Sequence, residues 1–269
     1  MTRQPTEACQ WSARTAEVEV GHRDSVLLQE TVLPGNLSLD RHAHAPGILC
    51  LVVTGGFRET CERRDREVGP AELVYYPPGA QHAGRFAGNG SILFSVDIPE
   101  RLITTFFGDT RPSLENLGPR LAGLILRIRS ELHASDGARR LGIESLIAEV
   151  LAEATAPPAT FHARSAWLPM VLEILRARVR HPPTLAELAR EVDIHPSHLA
   201  RGFRQAHRCT VGDYLRHLRV TEAATRLAAT SHSLSDVAHD AGFADQSHFG
   251  RVFKQIVGVT PGTYRALLR

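Results

Sequence analysis

Between Val26 and Val96 the apolar residues come in short runs, VLLQETV, ILCLVV, ELVYY and SILFSV, separated by the turn signals Pro34-Gly35-Asn36, Gly55-Gly56 and Gly88-Asn89-Gly90. Runs of this length and spacing predict an antiparallel β-barrel or sandwich. Beyond Pro112 the period changes: Leu121, Leu124, Ile125, Ile128 and Leu132 share one helical stripe, and Ile143, Leu146, Ile147, Val150 and Leu151 share another. These stripes predict a helical hairpin from about Leu114 to Ala154, which either packs on the strands or joins two copies of the chain. The segment Ala156-Pro157-Pro158-Ala159-Thr160 breaks the pattern as a linker, and everything after it reads as helical. The expected class is α+β: a β-barrel over residues 1–111, a hairpin and linker over 112–160, and an all-α module over 161–269.

The helical module contains an internal repeat. TLAELAREVDIHPSHLARGFRQAHRCTVGDY, from Thr184, matches SLSDVAHDAGFADQSHFGRVFKQIVGVTPGTY, from Ser233, with one inserted residue and ten identical pairs, among them Ala189/Ala238, Arg201/Arg251, Phe203/Phe253 and Tyr214/Tyr264. That density marks a duplicated unit. Thr184 with Glu187 and Ser233 with Asp236 have the spacing of N-terminal capping pairs, so a helix is expected to start at each place. Ala189 and Ala238 are small where a second helix must cross closely. The turn that follows needs a left-handed residue, and Asp193 and Gly242 stand there. At about 100° per residue, Leu199, Gly202, Phe203 and Ala206 fall on one side of the next helix, while Ser197, Arg201, Arg204 and Arg208 fall on the other. The second copy repeats the division, with Phe249, Val252, Phe253 and Ile256 inside and Ser247, Arg251 and Lys254 outside.

Each copy is therefore a helix-turn-helix whose outer face is short polar plus long cationic, the chemistry that reads guanine edges and holds phosphates. A helix from about Gly212 to Thr230 joins the units through Leu215, Leu218, Ala223 and Leu227. Its length of roughly 27 Å suits two reading helices in successive major grooves, about 34 Å apart. The reading thus predicts a bipartite site on double-stranded DNA. Charge agrees: residues 162–269 carry 15 Lys plus Arg against 9 Asp plus Glu, whereas the first 161 carry 16 against 20. A constitutive architectural binder fits less well, because the cations form two discrete stripes rather than one continuous face.

Other chemistry is thinner. Cys9, Cys50, Cys61 and Cys209 lack CxxC spacing, which speaks against a zinc ribbon or a dithiol redox site. No run approaches the ~20 apolar residues of a membrane span, and MTRQPTEACQW lacks a signal-peptide core, so a cytoplasmic protein without membrane contact is expected.

The run Ala241-Gly242-Phe243-Ala244-Asp245-Gln246-Ser247-His248-Phe249, followed by Arg251, Phe253-Lys254, Gly258, Thr260-Pro261 and Tyr264-Arg265, resembles the C-terminal signature of the AraC/XylS family of bacterial transcription regulators. The resemblance covers about Ala166 to Arg269. It implies that Ser197, Ala200, Arg201, Gln246, Ser247 and Arg251 meet bases; Arg204 and Lys254 complete the expected DNA face from their place on the outer stripes. Two positions depart from the family pattern: Arg208 stands where glycine is usual, and His195 replaces the capping serine before Pro196. In the first half, His42-Ala43-His44 and Pro77-Pro78-Gly79-Ala80-Gln81-His82 resemble the HxH and PxGxxH parts of cupin motifs, although Gly47-Ile48-Leu49-Cys50 occupies the stretch where cupins carry a glutamate. The resemblance implies a cupin-like sensing barrel in which His42, His44 and His82 line an effector pocket or hold a divalent metal. Glu59 and Arg85 are further candidates to reach a polar ligand.

The function these readings favour is a sequence-specific, effector-responsive transcription regulator, not an enzyme. The alternative is a metal-dependent cupin enzyme with an accessory helical domain. Expected partners are DNA and a small-molecule effector; RNA polymerase, a second copy of the chain, and the choice between activation and repression stay open.

Overall fold

The computed structural model describes residues 12–20, 24–61, 64–86, 88, 90–107, 119–133, 140–155, 166–207 and 209–267. Nine strands come first: β1 (Ser12–Val20), β2 (Asp24–Leu33), β3 (Ser38–His42), β4 (Gly47–Thr54), β5 (Phe57–Cys61), β6 (Arg64–Val68), β7 (Leu73–Tyr76), β8 (His82–Phe86) and β9 (Ser91–Ile98). They form two antiparallel sheets, one ordered β1-β2-β9-β4-β7 and the other β3-β8-β5-β6. The expected barrel is therefore split: no ladder joins the two sheets among the described residues. They pack face to face through Leu33, Ile48, Cys50, Val52, Val74 and Tyr76 from the first and Phe57, Val68 and Phe86 from the second.

The run GILCLVV, strand β4, is buried along its whole length. Side chains alternate across a strand, so Ile48, Cys50 and Val52 face the other sheet while Leu49, Leu51 and Val53 face the helices. A strand covered on both sides needs no polar alternation, which is why it reads as one apolar run.

Helices α1 (Glu100–Phe107), α2 (Pro119–His133) and α3 (Arg140–Thr155) follow. All five residues of the α3 stripe are buried, as are Leu121, Leu124, Ile125 and Ile128 of α2. The two helices pack on each other and on the outer face of the five-stranded sheet. The linker at 156–160 lies outside the described residues.

The rest is helical: α4 (Trp167–Ala177), α5 (Leu185–Glu191), α6 (Pro196–His207), α7 (Val211–Ala229), α8 (Leu234–Asp240), α9 (Gln246–Val257) and α10 (Pro261–Leu267). None of the described helices is long and apolar enough to cross a membrane. The first unit, α5 and α6, builds its own core with α4 and the start of α7: Leu168, Val171, Leu172, Leu175, Leu188, Leu199, Phe203 and Tyr214. The second, α8 and α9, does not stand alone. Val237, Phe249, Val252, Phe253 and Val257 belong to the cluster that runs through α2 and α3 to the sheet.

Candidate nucleic-acid interface and histidine cluster

The duplicated unit has the same local geometry twice. Thr184 accepts from the backbone of Glu187, whose carboxylate returns to the Thr184 amide, and Ser233 with Asp236 does likewise. These reciprocal bonds start α5 and α8 where the capping pairs predict. Asp193 and Gly242 both take the left-handed conformation, φ 52° and 83°. Phe203 meets Tyr214 edge-on at 5.4 Å, and Phe253 meets Tyr264 at the same distance. A Cβ on Gly242 would lie 2.8 Å from the Arg180 Cα, so the turn tolerates neither the angle nor the volume of a side chain. Gly242→Ala is expected to lower stability by about 1–3 kcal/mol, measured by urea unfolding; a loss under half a kcal/mol would contradict the turn.

On both second helices the buried and exposed sides fall as the angular reading predicts. Leu199, Gly202 and Phe203 are buried on α6, as are Phe249, Val252 and Phe253 on α9. Ser197, Ala200, Arg201 and Arg204 are exposed, and so are Gln246, Ser247, Arg251 and Lys254. The eight residues thus form two exposed stripes, with Ser197, Arg201 and Arg204 at the positions that match Ser247, Arg251 and Lys254; Arg208 lies outside the described residues. In α7 the division of labour is explicit: Leu215 and Leu218 pack on the first unit, Ala223 and Leu227 on the second. Its 19 residues span about 28 Å at 1.5 Å each.

The two reading helices start differently. Asp245 caps α9 by accepting from the His248 amide at 2.7 Å. At α6 the imidazole of His195 does the capping: its Nδ1 lies 3.3 Å from the Ser197 amide nitrogen and 2.8 Å from the Ser197 hydroxyl. The departure from serine therefore keeps a cap and fixes the hydroxyl of an expected base-contacting residue.

In the sheet domain, His42 on β3 pairs across the ladder with His82 on β8. With His44 they form a cluster whose ligand atoms lie within 4.8 Å of one another. The Nδ1 of His42 donates to the Asp40 carbonyl at 2.7 Å and the Nδ1 of His82 to the Ala80 carbonyl at 3.1 Å. Both rings thus keep Nε2 as the free lone pair, the arrangement that orients imidazoles toward a metal. Burial, then the charges of the other two histidines, pulls His44 down to about 4; burial also lowers His82. Three imidazoles with open nitrogens are a donor set that fits a zinc, iron or manganese ion.

Tyr76 stacks on His82 with ring centroids 4.0 Å apart. Glu59 and Arg85 separate by strand parity. Glu59, fully buried, turns inward and accepts from Arg66 at 2.5 Å, while Arg85 is exposed on the outside. Asp97 also faces inward, and burial pushes its carboxyl up to about 6. Among the described residues, Cys50, Cys61 and Cys209 form no disulfide. Tyr76 and Asp97 escaped the sequence reading because only the sheet register places them beside this interior. A separate cleft of about 590 Å³ opens between β6–β7, the start of α2, and α7; Leu73, Pro119, Arg176, Tyr214, Leu218 and Arg226 help line it, and none of the three histidines does.

The contact that sequence reasoning missed altogether joins the halves. Arg129 of α2, 1% exposed, donates from Nε to Glu30 of β2 at 2.5 Å and from Nη1 to the Tyr264 hydroxyl of α10 at 2.9 Å. The Nε2 of His133 lies 3.1 Å from the same Glu30 oxygen. One signal was available: Arg129 stands four residues after Ile125, on the edge of the buried stripe, where a charge demands a partner.

A family profile described as "Helix-turn-helix domain" matches residues 188–267. The regulatory protein SoxS of Escherichia coli K12 is 33% identical over 87 residues, 32% of this chain and 81% of SoxS. The HTH-type transcriptional activator RhaR of Klebsiella pneumoniae is 33% identical over 102 residues, 38% of this chain and 36% of RhaR. The chain spans about a third of the length of the first curated relatives it matches. The crystal structure of ToxT from Vibrio cholerae O395 aligns over 90% of this chain and 98% of its own at 10% identity, with a TM-score of 0.38, a likeness too loose to bear on the fold. With two capped helix-turn-helix units, their paired aromatic cores and a match over four-fifths of SoxS, the chain belongs to the AraC/XylS family of transcription regulators.

Proposed function

We propose that the chain is a cytoplasmic, effector-responsive regulator that binds a bipartite DNA site through α6 and α9. The observation that carries this reading is the duplication itself: two helices of one length expose Arg201 and Arg251 at matching positions, above buried faces built on Phe203 and Phe253. Surface arginines alone occur on any solvated helix; the same stripe built twice, on helices joined by α7, is what reading two successive major grooves would require. Selection of binding sites from a random pool by the full chain tests it. Two short conserved blocks separated by about one helical turn are expected, and a single block or no enrichment would refute the reading.

The sheet domain supplies the sensing end. His42, His44 and His82 would hold either a divalent metal or a polar effector, with Tyr76 as the stacking wall behind His82. When bound, a metal would contribute a Lewis-acidic coordination position, and the histidines would hold it through Nε2. Equilibrium dialysis with Zn²⁺ distinguishes the two: one ion per chain for the wild type, lost in His44→Ala, supports the metal, while no bound ion assigns the cluster to an organic effector. In either case His44→Ala should leave the effector-free affinity for the selected site within about 0.5 kcal/mol of wild type, because His44 lies in the sheet domain, off the groove-reading faces. A folded His44→Ala protein that loses effector-free binding would remove the histidines from the sensing role.

A further inference from the structure

We propose that α2 is the element through which the sheet domain positions the second reading helix, with Arg129 and Ser130 as positioning residues. The inference rests on the reading of α6 and α9 as the DNA-contacting helices, and adds which of them the sheet domain holds.

The repeat would make the two units equivalent; the structure makes them unequal. At the three positions where α6 has Gly202, Ala206 and His207, α9 carries Val252, Ile256 and Val257. The second helix therefore has a wider apolar face, and the extra width is covered by α2. Val252 and Val257 lie in the cluster that includes Ile125 and Ile128, and Ile256 packs against it. The approach is close: a Cβ on Gly123 of α2 would lie 2.9 Å from Ile256.

Polar contacts then fix the position along that face. The Ser130 hydroxyl lies 2.9 Å from both the Arg127 carbonyl of its own helix and the Val257 carbonyl at the last residue of α9, and divides its one proton between them. That carbonyl has no partner within the helix, so a donor from outside anchors the helix end. One residue earlier, Arg129 reaches the Tyr264 hydroxyl on one side and Glu30 on the other. Glu30 belongs to β2, beside Leu28 and Val26 on the helix-facing side of the sheet. The route from sheet to reading helix is thus continuous: β2, Glu30, Arg129, Tyr264, and back through the Phe253–Tyr264 ring contact to α9. Among the described residues, the apolar core of α5 and α6 contains no residue of α2 or of β2.

Ser130→Ala and Tyr264→Phe each delete one hydroxyl and little volume, and Glu30→Gln tests the sheet end. In the full chain, bound to the site selected by the wild type, the affinity penalty for scrambling each half-site is measured separately, the α9 half-site being the one whose preference changes in Arg251→Ala. Ser130→Ala and Tyr264→Phe should each reduce the α9 penalty by about three- to tenfold, the range of one hydrogen bond, and leave the α6 penalty unchanged; Glu30→Gln should act in the same direction. A residue that only supports folding would lower the active fraction and leave both penalties intact, and that result overturns the proposal, as does no change in any variant. Hydrogen exchange without DNA reads the clamp independently of the DNA reading. Amides of α9 and α10 should exchange faster in Tyr264→Phe, with α6 unaltered, and unchanged α9 protection overturns the proposal even where DNA binding fails for other reasons.

Discussion

Arg129→Ala is expected to destabilise the full chain by about 3–5 kcal/mol, the cost of breaking a buried ion pair by removing one partner. The guanidinium is buried, and it holds a carboxylate that is itself 7% exposed. Alanine would leave Glu30 in the interior without its cation, and would orphan the Tyr264 hydroxyl as well. The acid limb of the stability curve checks the same network. Burial by itself would raise the Glu30 pKa, but the His133 hydrogen bond and the charges of Arg129 and His133 hold it below its ordinary value of 4.5. A carboxylate with a depressed folded pKa contributes stability that is fully present above the unfolded value and disappears as pH falls through the folded one. Wild type should therefore lose stability below about pH 4.5, and Glu30→Gln should lose less over that window. Urea unfolding at neutral pH and below the window measures both effects. A loss under 1 kcal/mol for Arg129→Ala would mean that α2 does not sit between the sheet and the second unit. Replacing both partners, as in Glu30→Leu with Arg129→Met, should recover most of the stability lost, because a well-packed apolar pair of similar volume costs no desolvation.

Much of the helical module was legible because its rules are local. Capping pairs span three residues, the left-handed turn is one residue, and the buried stripe repeats every turn, so Thr184, Asp193, Phe203 and their counterparts could be placed by counting. The sheets were harder. His42, His44 and His82 were found through motif spacing, but the inward turn of Glu59 and the outward turn of Arg85 depend on strand register, which the pattern of these short strands does not specify. That the barrel splits into two sheets depends on which strands pair, a long-range property. The link between Glu30, Arg129 and Tyr264 joins residues 99 and 135 positions apart in sequence, beyond any local rule. The inequality of the two units was nonetheless written in the repeat, in the replacement of Gly202, Ala206 and His207 by Val252, Ile256 and Val257. A helix that needs only to cross its partner has no use for the extra apolar residues; one that also docks on α2 does.

Arg251→Ala should weaken binding to the selected site by about 1–3 kcal/mol and relax preference at one or two base positions, because a bidentate guanidinium contact to guanine O6 and N7 carries both affinity and identity. Arg251 is exposed about one turn and a half into α9, beyond the Asp245 cap, at a position that faces away from Phe249 and Phe253. Lys254 lies three residues further along the same exposed face, where a phosphate is the nearer partner. Lys254→Ala should therefore weaken selected and random DNA alike, and lower the slope of log affinity against log salt by about one. Arg201 occupies the matching place on α6, and in the proposed two-groove reading that helix enters the next major groove. Arg201→Ala should resemble Arg251→Ala in size while its altered base preference falls in the other block, about one helical turn distant. Site selection with the wild type and the three variants, followed by salt titration of each, separates these outcomes. Arg201→Ala and Arg251→Ala shifting the same block would mean that the two helices read one groove. A Lys254→Ala protein that changes base preference without changing the salt slope would place its ammonium on a base edge instead of the backbone. Equal small losses in all three variants, with no change of preference, would reduce the exposed stripes to a general attraction for a polyanion and leave sequence reading to other residues.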